Sequence, residues 1–232
     1  MMFNFGGGML TGTEIEKQIK KGNIKITPYD PKLINPNSYN LRLHPQLKVY
    51  KRGKRTVEDM IQNTGIDPRS IKSITPEHTM ILNGKEVNVA QSIISDSYVY
   101  RDDMNPIDMM SDNEVIEFTI PEEGYILRPG ILYIGRTVER TFTEKFIPML
   151  DGRSSGGRLG ISIHICAGFG DIGFDGTWTL EITVVEPVIV YPYKEIAQVS
   201  YFKPYGSIKK LYRGRYYGQE DATSSRFFKG RE

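Results

Sequence analysis

The densest chemistry in this 232-residue sequence lies at residues 151–158, DGRSSGGR. Arg153 and Arg158 bring two guanidinium groups, and Ser154 and Ser155 bring two hydroxyls. Gly152, Gly156 and Gly157 fill out the run. Glycine lets backbone N–H groups come close to an anion. Arginine offers forked donors that match phosphate oxygens, and serine adds neutral donors. The composition reads as a polyphosphate cradle. The plain alternative is a glycine-rich surface turn with solvated arginines. The P-loop pattern GxxxxGK[ST] is absent.

Other reactive side chains are few. Cys166 is the only cysteine, and the histidines are His44, His78 and His164. One cysteine excludes an internal disulfide framework and any zinc site that needs two thiolates. The zinc deaminase signature HxE…PCxxC is likewise absent. His164 falls in an apolar run and reads as a satisfied core histidine. Cys166 reads as a small core residue, Trp178 as packing and Asp175 as turn chemistry. Glu181 is a lone acid within a strand, a position that ordinarily faces solvent.

These residues need a frame. Hydrophobic residues make up 39% and charged residues 25%, as in ordinary globular proteins. Thirty basic and 28 acidic residues leave a net charge of +2, which gives no argument for nucleic-acid or membrane binding. No apolar run approaches ~20 residues, and residues 1–9 lack the pattern of a signal peptide. A soluble protein of a reducing, cytoplasmic compartment is expected. The 23 glycines, 13 prolines, 14 tyrosines and 10 phenylalanines suggest aromatic strands parted by turns.

Residues 1–9 read as a flexible tail and 10–202 as one β domain. The spacing predicts a helix over 10–21, with Thr11 and Glu14 set as a capping box and Leu10 stapled onto Ile15. Short strands are expected at 24–26, 39–43, 115–120, 125–128, 131–136, 161–166, 178–185, 188–191 and 196–202. Residues 52–112 read as an inserted excursion, with a hairpin signal at Asn83 and Gly84. Residues 203–232 are basic and tyrosine-rich with no hydrophobic period. They read as an arm that stays mobile until something holds it.

The order of motifs carries a resemblance. GRSS…RLG at 152–160, the run AGFGDIGFDG at 167–176 and TLE at 179–181 resemble the dCTP deaminase branch of the dUTPase-like family. INPNSYNLRL at 34–43, LRPG at 127–130 and IAQV at 196–199 extend the likeness. Pro204, Tyr205, Arg215, Tyr216, Gly218, Gln219 and residues 223–226 resemble the family's closing arm. The resemblance implies a mainly β fold, a distorted barrel or jelly roll with a short N-terminal helix. It also implies a homotrimer with active sites at subunit interfaces and an arm, 203–232, that closes over nucleotide.

Carried over by position, Arg153, Ser154, Ser155, Gly156, Gly157 and Arg158 would hold the triphosphate or line the catalytic centre. Asp171 would bind the 3′-hydroxyl, and Phe174 would pack against the sugar where a 2′-hydroxyl would clash. Thr179 and Leu180 would frame the base beside Glu181. Gln198, Tyr205, Arg215 and Gln219 would contact nucleotide. Glu181 would be the general base in a zinc-free deamination of dCTP. Ser154 and the Ala167 carbonyl would orient the water, while Arg158 would steady the developing charge. Mg²⁺ would ride on the triphosphate, with no metal site of the protein's own. Gly168 and Phe169 fit the loop of members that continue to dUMP, and Gly168 would leave room for a second water there. dCTP and dUTP are the implied ligands, with dTTP as a feedback inhibitor. Gly156 stands where the family usually has leucine, Asn40 where it has aspartate and Arg215 where it has lysine. The rival readings are a dUTPase that does not deaminate and a silent nucleotide-binding regulator.

Overall fold

The computed structural model describes residues 8–51, 79–82, 85–88 and 106–230. Helix α1, Gly12–Lys20, starts where the capping box is expected: Thr11 Oγ1 accepts the Glu14 N–H at 3.3 Å. Ile15 is fully buried, and Leu10 packs against the same core. Gly12 is obligatory here, because a Cβ would overlap the Asn35 carbonyl oxygen.

The rest is mainly β. Strands β1 (Ile24–Thr27), β2 (Tyr39–Arg42) and β3 (Gln46–Tyr50) precede a hairpin, β4 (Thr79–Leu82) with β5 (Lys85–Asn88). Then come β6 (Val115–Thr119), β7 (Tyr125–Leu127), β8 (Tyr133–Thr143) and β9 (Ile147–Gly152). Helix α2 (Ser154–Arg158) follows, and then β10 (Ile161–Ser162), β11 (Asp175–Val184), β12 (Val188–Val190) and β13 (Glu195–Phe202). The largest sheet runs β10-β11-β8-β3-β6, with β1 also on β8. A second sheet runs β2-β13-β9, and β12 pairs with β7. One core joins them, in which Tyr39, Tyr125, Tyr133 and Tyr201 are all fully buried. Such tyrosines need partners for their hydroxyls. Tyr39 accepts the Asp30 N–H and Tyr133 accepts the Arg128 N–H, each at 2.9 Å.

The expected mainly β barrel is therefore present, with differences in detail. Strands β3 and β9 lie where none is expected. The run at 161–166 is a strand only at Ile161–Ser162, and β8 extends to Thr143. Asp175 is no turn residue. It opens β11 and pairs with Arg140 Nε at 2.8 Å. The turn at Asn83 and Gly84 lies outside the described residues, although Leu82 faces Lys85 across the pair. Residues 8 and 9 of the expected tail are held, since Gly8 O accepts the Lys203 N–H at 3.0 Å. Most of the 52–112 excursion lies outside the described residues. Its ends meet: the Lys51 N–H donates to Glu114 O at 2.9 Å, where β3 pairs with β6.

The β8–β11 ladder breaks between Thr177 and Thr179. There the Trp178 N–H goes to Thr137 Oγ1 at 2.9 Å, and its Nε1–H goes to Thr141 Oγ1 at 2.9 Å. Glu139 is fully buried at the break. It accepts the Arg42 N–H at 2.8 Å and Arg42 Nε at 2.6 Å, tying the two sheets together. Nearby, His44 Nε2 lies 2.7 Å from Arg136 Nη2, and Nδ1 accepts the Gln46 N–H.

Burial, reinforced by the Arg136 charge and opposed by Asp221, pushes the His44 imidazole down from 6.5 to about 4. The unfolded chain therefore binds this proton first as pH falls. Stability contributed by neutral His44 is present above about 6.5 and is lost between there and about 4. Urea unfolding midpoints should drop across that window, and His44→Gln should flatten the slope. An unchanged slope in that variant would show that other groups control the acid limb.

Candidate active site

The site follows from how β11 is covered. Residues 175, 177, 179 and 181 turn their peptide groups away from β8 toward the outer edge, as strand alternation requires. The arm takes the first part of that edge. The Gly218 N–H donates to Asp175 O at 2.8 Å, and the Thr177 N–H donates to Gln219 O at 3.0 Å. The loop after β10 takes the last part, where the Glu181 N–H donates to Ile163 O at 2.8 Å. Between them the edge at Thr179 opens into a cavity of about 470 Å³.

Asp171, Phe174, Thr179, Glu181 and Gln219, all candidates from the sequence, line this cavity together. Glu181 Oε2 accepts the Ile165 N–H at 2.9 Å, which fixes the carboxylate on the wall. Gln219 Nε2 donates to Thr177 O at 2.8 Å and to Thr179 Oγ1 at 3.2 Å. Its Oε1 is buried without a partner. Phe174 packs against Trp178 with ring centroids 4.8 Å apart and the planes tilted by 43°. The Leu180 side chain is fully buried in the core and its peptide groups face Gly135 of β8, so Leu180 does not line the cavity. The sequence reading missed Tyr50, Tyr212 and Tyr216 as lining residues. The tyrosine richness of the arm signals Tyr212 and Tyr216, whereas Tyr50 lies on β3 and carries no such signal.

Two single-residue expectations are overturned beside the cavity. Cys166 is exposed on its rim, not buried in the core, because β10 ends before it. His164 also lies beyond the strand and is only half-buried. Its Nε2 sits 3.5 Å from Asp151 Oδ1, and its Nδ1 is buried without a partner.

The family model described as dCTP deaminase-like matches residues 9–94 and 88–203. The chain belongs to this dCTP deaminase-like family. It is 39% identical over 221 residues to "dCTP deaminase, dUMP-forming" of Hathewaya histolytica, covering 95% of this chain and 98% of that one. The protein of the same name from Leptospira biflexa serovar Patoc is also 39% identical, over 95% and 97% of the two chains. The one from Cytophaga hutchinsonii is 36% identical over the same shares. A solved 2′-deoxycytidine 5′-triphosphate deaminase from Agrobacterium tumefaciens aligns with a TM-score of 0.49 at 17% identity. That alignment spans 85% of this chain and 49% of the other.

Other family candidates stand away from the cavity. Arg153 precedes α2, and Ser154, Ser155, Gly156, Gly157 and Arg158 form it; none of them lines the cavity. Ser154, Ser155 and Arg158 are exposed, and Arg158 Nη1 donates only to Ser154 O at 3.2 Å. Arg153 pairs with Glu195 at 3.1 Å. Gln198 sits behind the cradle: its Nε2 donates to Gly152 O at 3.0 Å, and its Oε1 accepts Ser38 Oγ–H. Asn40 donates to Glu195 at 2.5 Å. Tyr205 is 99% exposed. Arg215 lines a second cavity of about 750 Å³ with Asp171, Lys210 and Arg213. Ala167 is exposed. Gly168 faces Leu150 O and His164, where a Cβ would meet the carbonyl at 3.0 Å. The space it frees thus lies toward β9, and Phe169 is the loop residue on the cavity. Among the described residues no three His, Cys, Asp or Glu side chains converge on one point, and no helix is long and apolar enough to cross a membrane.

Gly170 seats this loop. A Cβ there would overlap the Trp178 ring and touch Pro148 at 3.0 Å. Gly170→Ala should therefore cost about 1–3 kcal/mol of stability. At Gly157 nothing lies within 4 Å, so Gly157→Ala should not lower the melting temperature. Equal melting temperatures for the two variants would refute the packing argument.

Proposed function

We propose that this protein is a dCTP deaminase of the dUMP-forming type. The observation that carries the reading is the Glu181 carboxylate, held by the Ile165 N–H on the cavity wall beside the open edge at Thr179. A strand edge with a free N–H and C=O can pair with one edge of a pyrimidine. That places the carbon bearing the amino group near Glu181. Glu181 takes a proton from water as the oxygen attacks C4. It returns that proton to the departing nitrogen, the C4–N bond breaks and ammonia leaves, while the other water proton passes from the C4 hydroxyl to N3 and completes uracil. One carboxylate acting in turn as base and acid contributes about 10²–10⁴-fold. The relatives named dUMP-forming support a second step, release of diphosphate at the α-phosphate, with Asp171 orienting the water. Mg²⁺ enters as part of the substrate, bound to its triphosphate.

The separation of cradle from cavity supports a composite site. Arg153, Ser154, Ser155 and Arg158 of one copy face the cavity of another in a homotrimer. There Ser154 and the Ala167 carbonyl orient the water, and Arg158 steadies the charge at C4. Gln198 braces the cradle from behind. Tyr205 and Arg215 belong to the arm, which completes closure over the triphosphate.

Glu181→Gln should abolish ammonia release from dCTP while nucleotide still binds. Turnover within tenfold of wild type would sink the assignment. Wild type should convert dCTP to ammonia, dUMP and diphosphate; accumulation of dUTP with no diphosphate would remove the second step alone. Release of diphosphate from dUTP with no ammonia from dCTP would favour a plain dUTPase. Arg158→Ala and Glu181→Gln, each inactive, should recover about a quarter of wild-type activity when unfolded and refolded together in equal amounts, as random assembly across a shared interface requires. No recovery would place both residues in one subunit's site.

A further inference from the structure

The turn that carries Asp171 and Phe174 is gripped from outside by three consecutive arm residues, Leu211 to Arg213. The turn closes on itself through the Phe174 N–H to Asp171 O at 3.1 Å. Its Ile172 carbonyl accepts the Tyr212 N–H at 2.8 Å, and its Gly173 carbonyl accepts Arg213 Nη1 at 3.1 Å. Gly173 has φ +94°, and a Cβ there would press on Leu211 Cβ at 2.8 Å and Tyr212 N at 3.0 Å. The missing side chain is the seat of the arm. The Tyr212 ring then packs against Phe174, tilted by 54° with centroids 6.1 Å apart, so Phe174 touches both Trp178 of the barrel and Tyr212 of the arm. Arg213 is itself fixed, 4.4 Å over the Tyr217 ring and 3.4 Å from Glu144.

Resting on the functional reading above, we propose that Tyr212 and Arg213 are positioning residues for sugar selectivity. Phe174 can refuse a 2′-hydroxyl only if its ring cannot retreat. Trp178 and Tyr212 both pack against that ring and limit where it can go. Asp171 sits on the same turn, so the grip also fixes the carboxylate that meets the 3′-hydroxyl. Selection of deoxyribose is thus a property of the docked arm as much as of the pocket. An undocked arm would leave a pocket that still binds the base but sorts sugars poorly.

The test compares dCTP with CTP in wild type, Tyr212→Leu, Tyr212→Phe and Arg213→Ala. It reads the ratio of kcat/KM values, and the ratio of Kd values with each variant placed in Glu181→Gln. Tyr212→Leu should shrink the preference for dCTP by about tenfold or more, the scale of a lost steric check in a pocket. Arg213→Ala should shift it in the same direction. Tyr212→Phe keeps the ring and should hold the ratio within about twofold of wild type. If Tyr212→Leu and Arg213→Ala weaken both nucleotides equally, the grip is general to binding and the proposal falls. If wild type releases no ammonia from dCTP, the activity is overturned instead, and the Kd ratios still decide the grip.

Discussion

An uncovered strand edge is the constraint on which this molecule is organised. β11 runs through the middle of the chemistry with one edge on β8, and its other edge must be paired, covered or wetted. Two pieces of chain distant in sequence divide that edge between them, namely arm residues 218–219 and the short strand β10 with the loop that follows it at Ile163. They do not quite meet. The interval at Thr179 opens into the cavity, and its limits are set by Gln219 on one side and Glu181 on the other. A strand covered along its whole outer edge would be more regular and would leave no such opening.

The break in the β8–β11 ladder makes that arrangement possible. It frees Trp178 to satisfy its N–H groups on two threonine hydroxyls and to lie beneath Phe174. It also buries Glu139 against Arg42, and removing one partner of such a pair costs about 3–5 kcal/mol. Rigidity is thus concentrated behind the cavity, while the arm that forms its front wall is held by local hydrogen bonds, ring contacts and ion pairs such as Lys48 with Asp221 at 2.9 Å. A stiff back and a separable front suit a pocket that must admit a triphosphate and then exclude water.

Much of this was legible in the residues. The capping box at Thr11, the alternating apolar runs and the motif order pointed to the helix, most strands and the residues of the cavity. Strand β9 was hidden by Pro148, which is tolerated because its peptide groups turn away from β13 toward the 168–170 loop, where the Gly170 N–H donates to its carbonyl at 2.9 Å and no N–H is needed in return. His164 and Cys166 sit in an apolar run that mimics a strand, yet the chain leaves the sheet after Ser162 to carry Ile165 over Glu181. Local pattern cannot report a departure dictated by a distant carboxylate. Nor can it show that the Arg158 cradle and the Glu181 cavity of one chain stand apart, since a sequence of motifs places residues in order and not in space.

The pinch at Lys51 and Glu114 has a consequence for the history of the fold. Their ion pair, at 2.8 Å, is exposed and contributes little by itself; strand pairing of β3 with β6 is what brings the ends together. To the barrel, everything between them is the tip of a hairpin. Each doubling in length of such a segment adds only about 0.6 kcal/mol of closure entropy. Insertions, deletions or whole foreign modules can therefore accumulate there without breaking the pairing of β3 with β6. The same position is a natural graft point at which the protein could acquire a partner without renegotiating its chemistry.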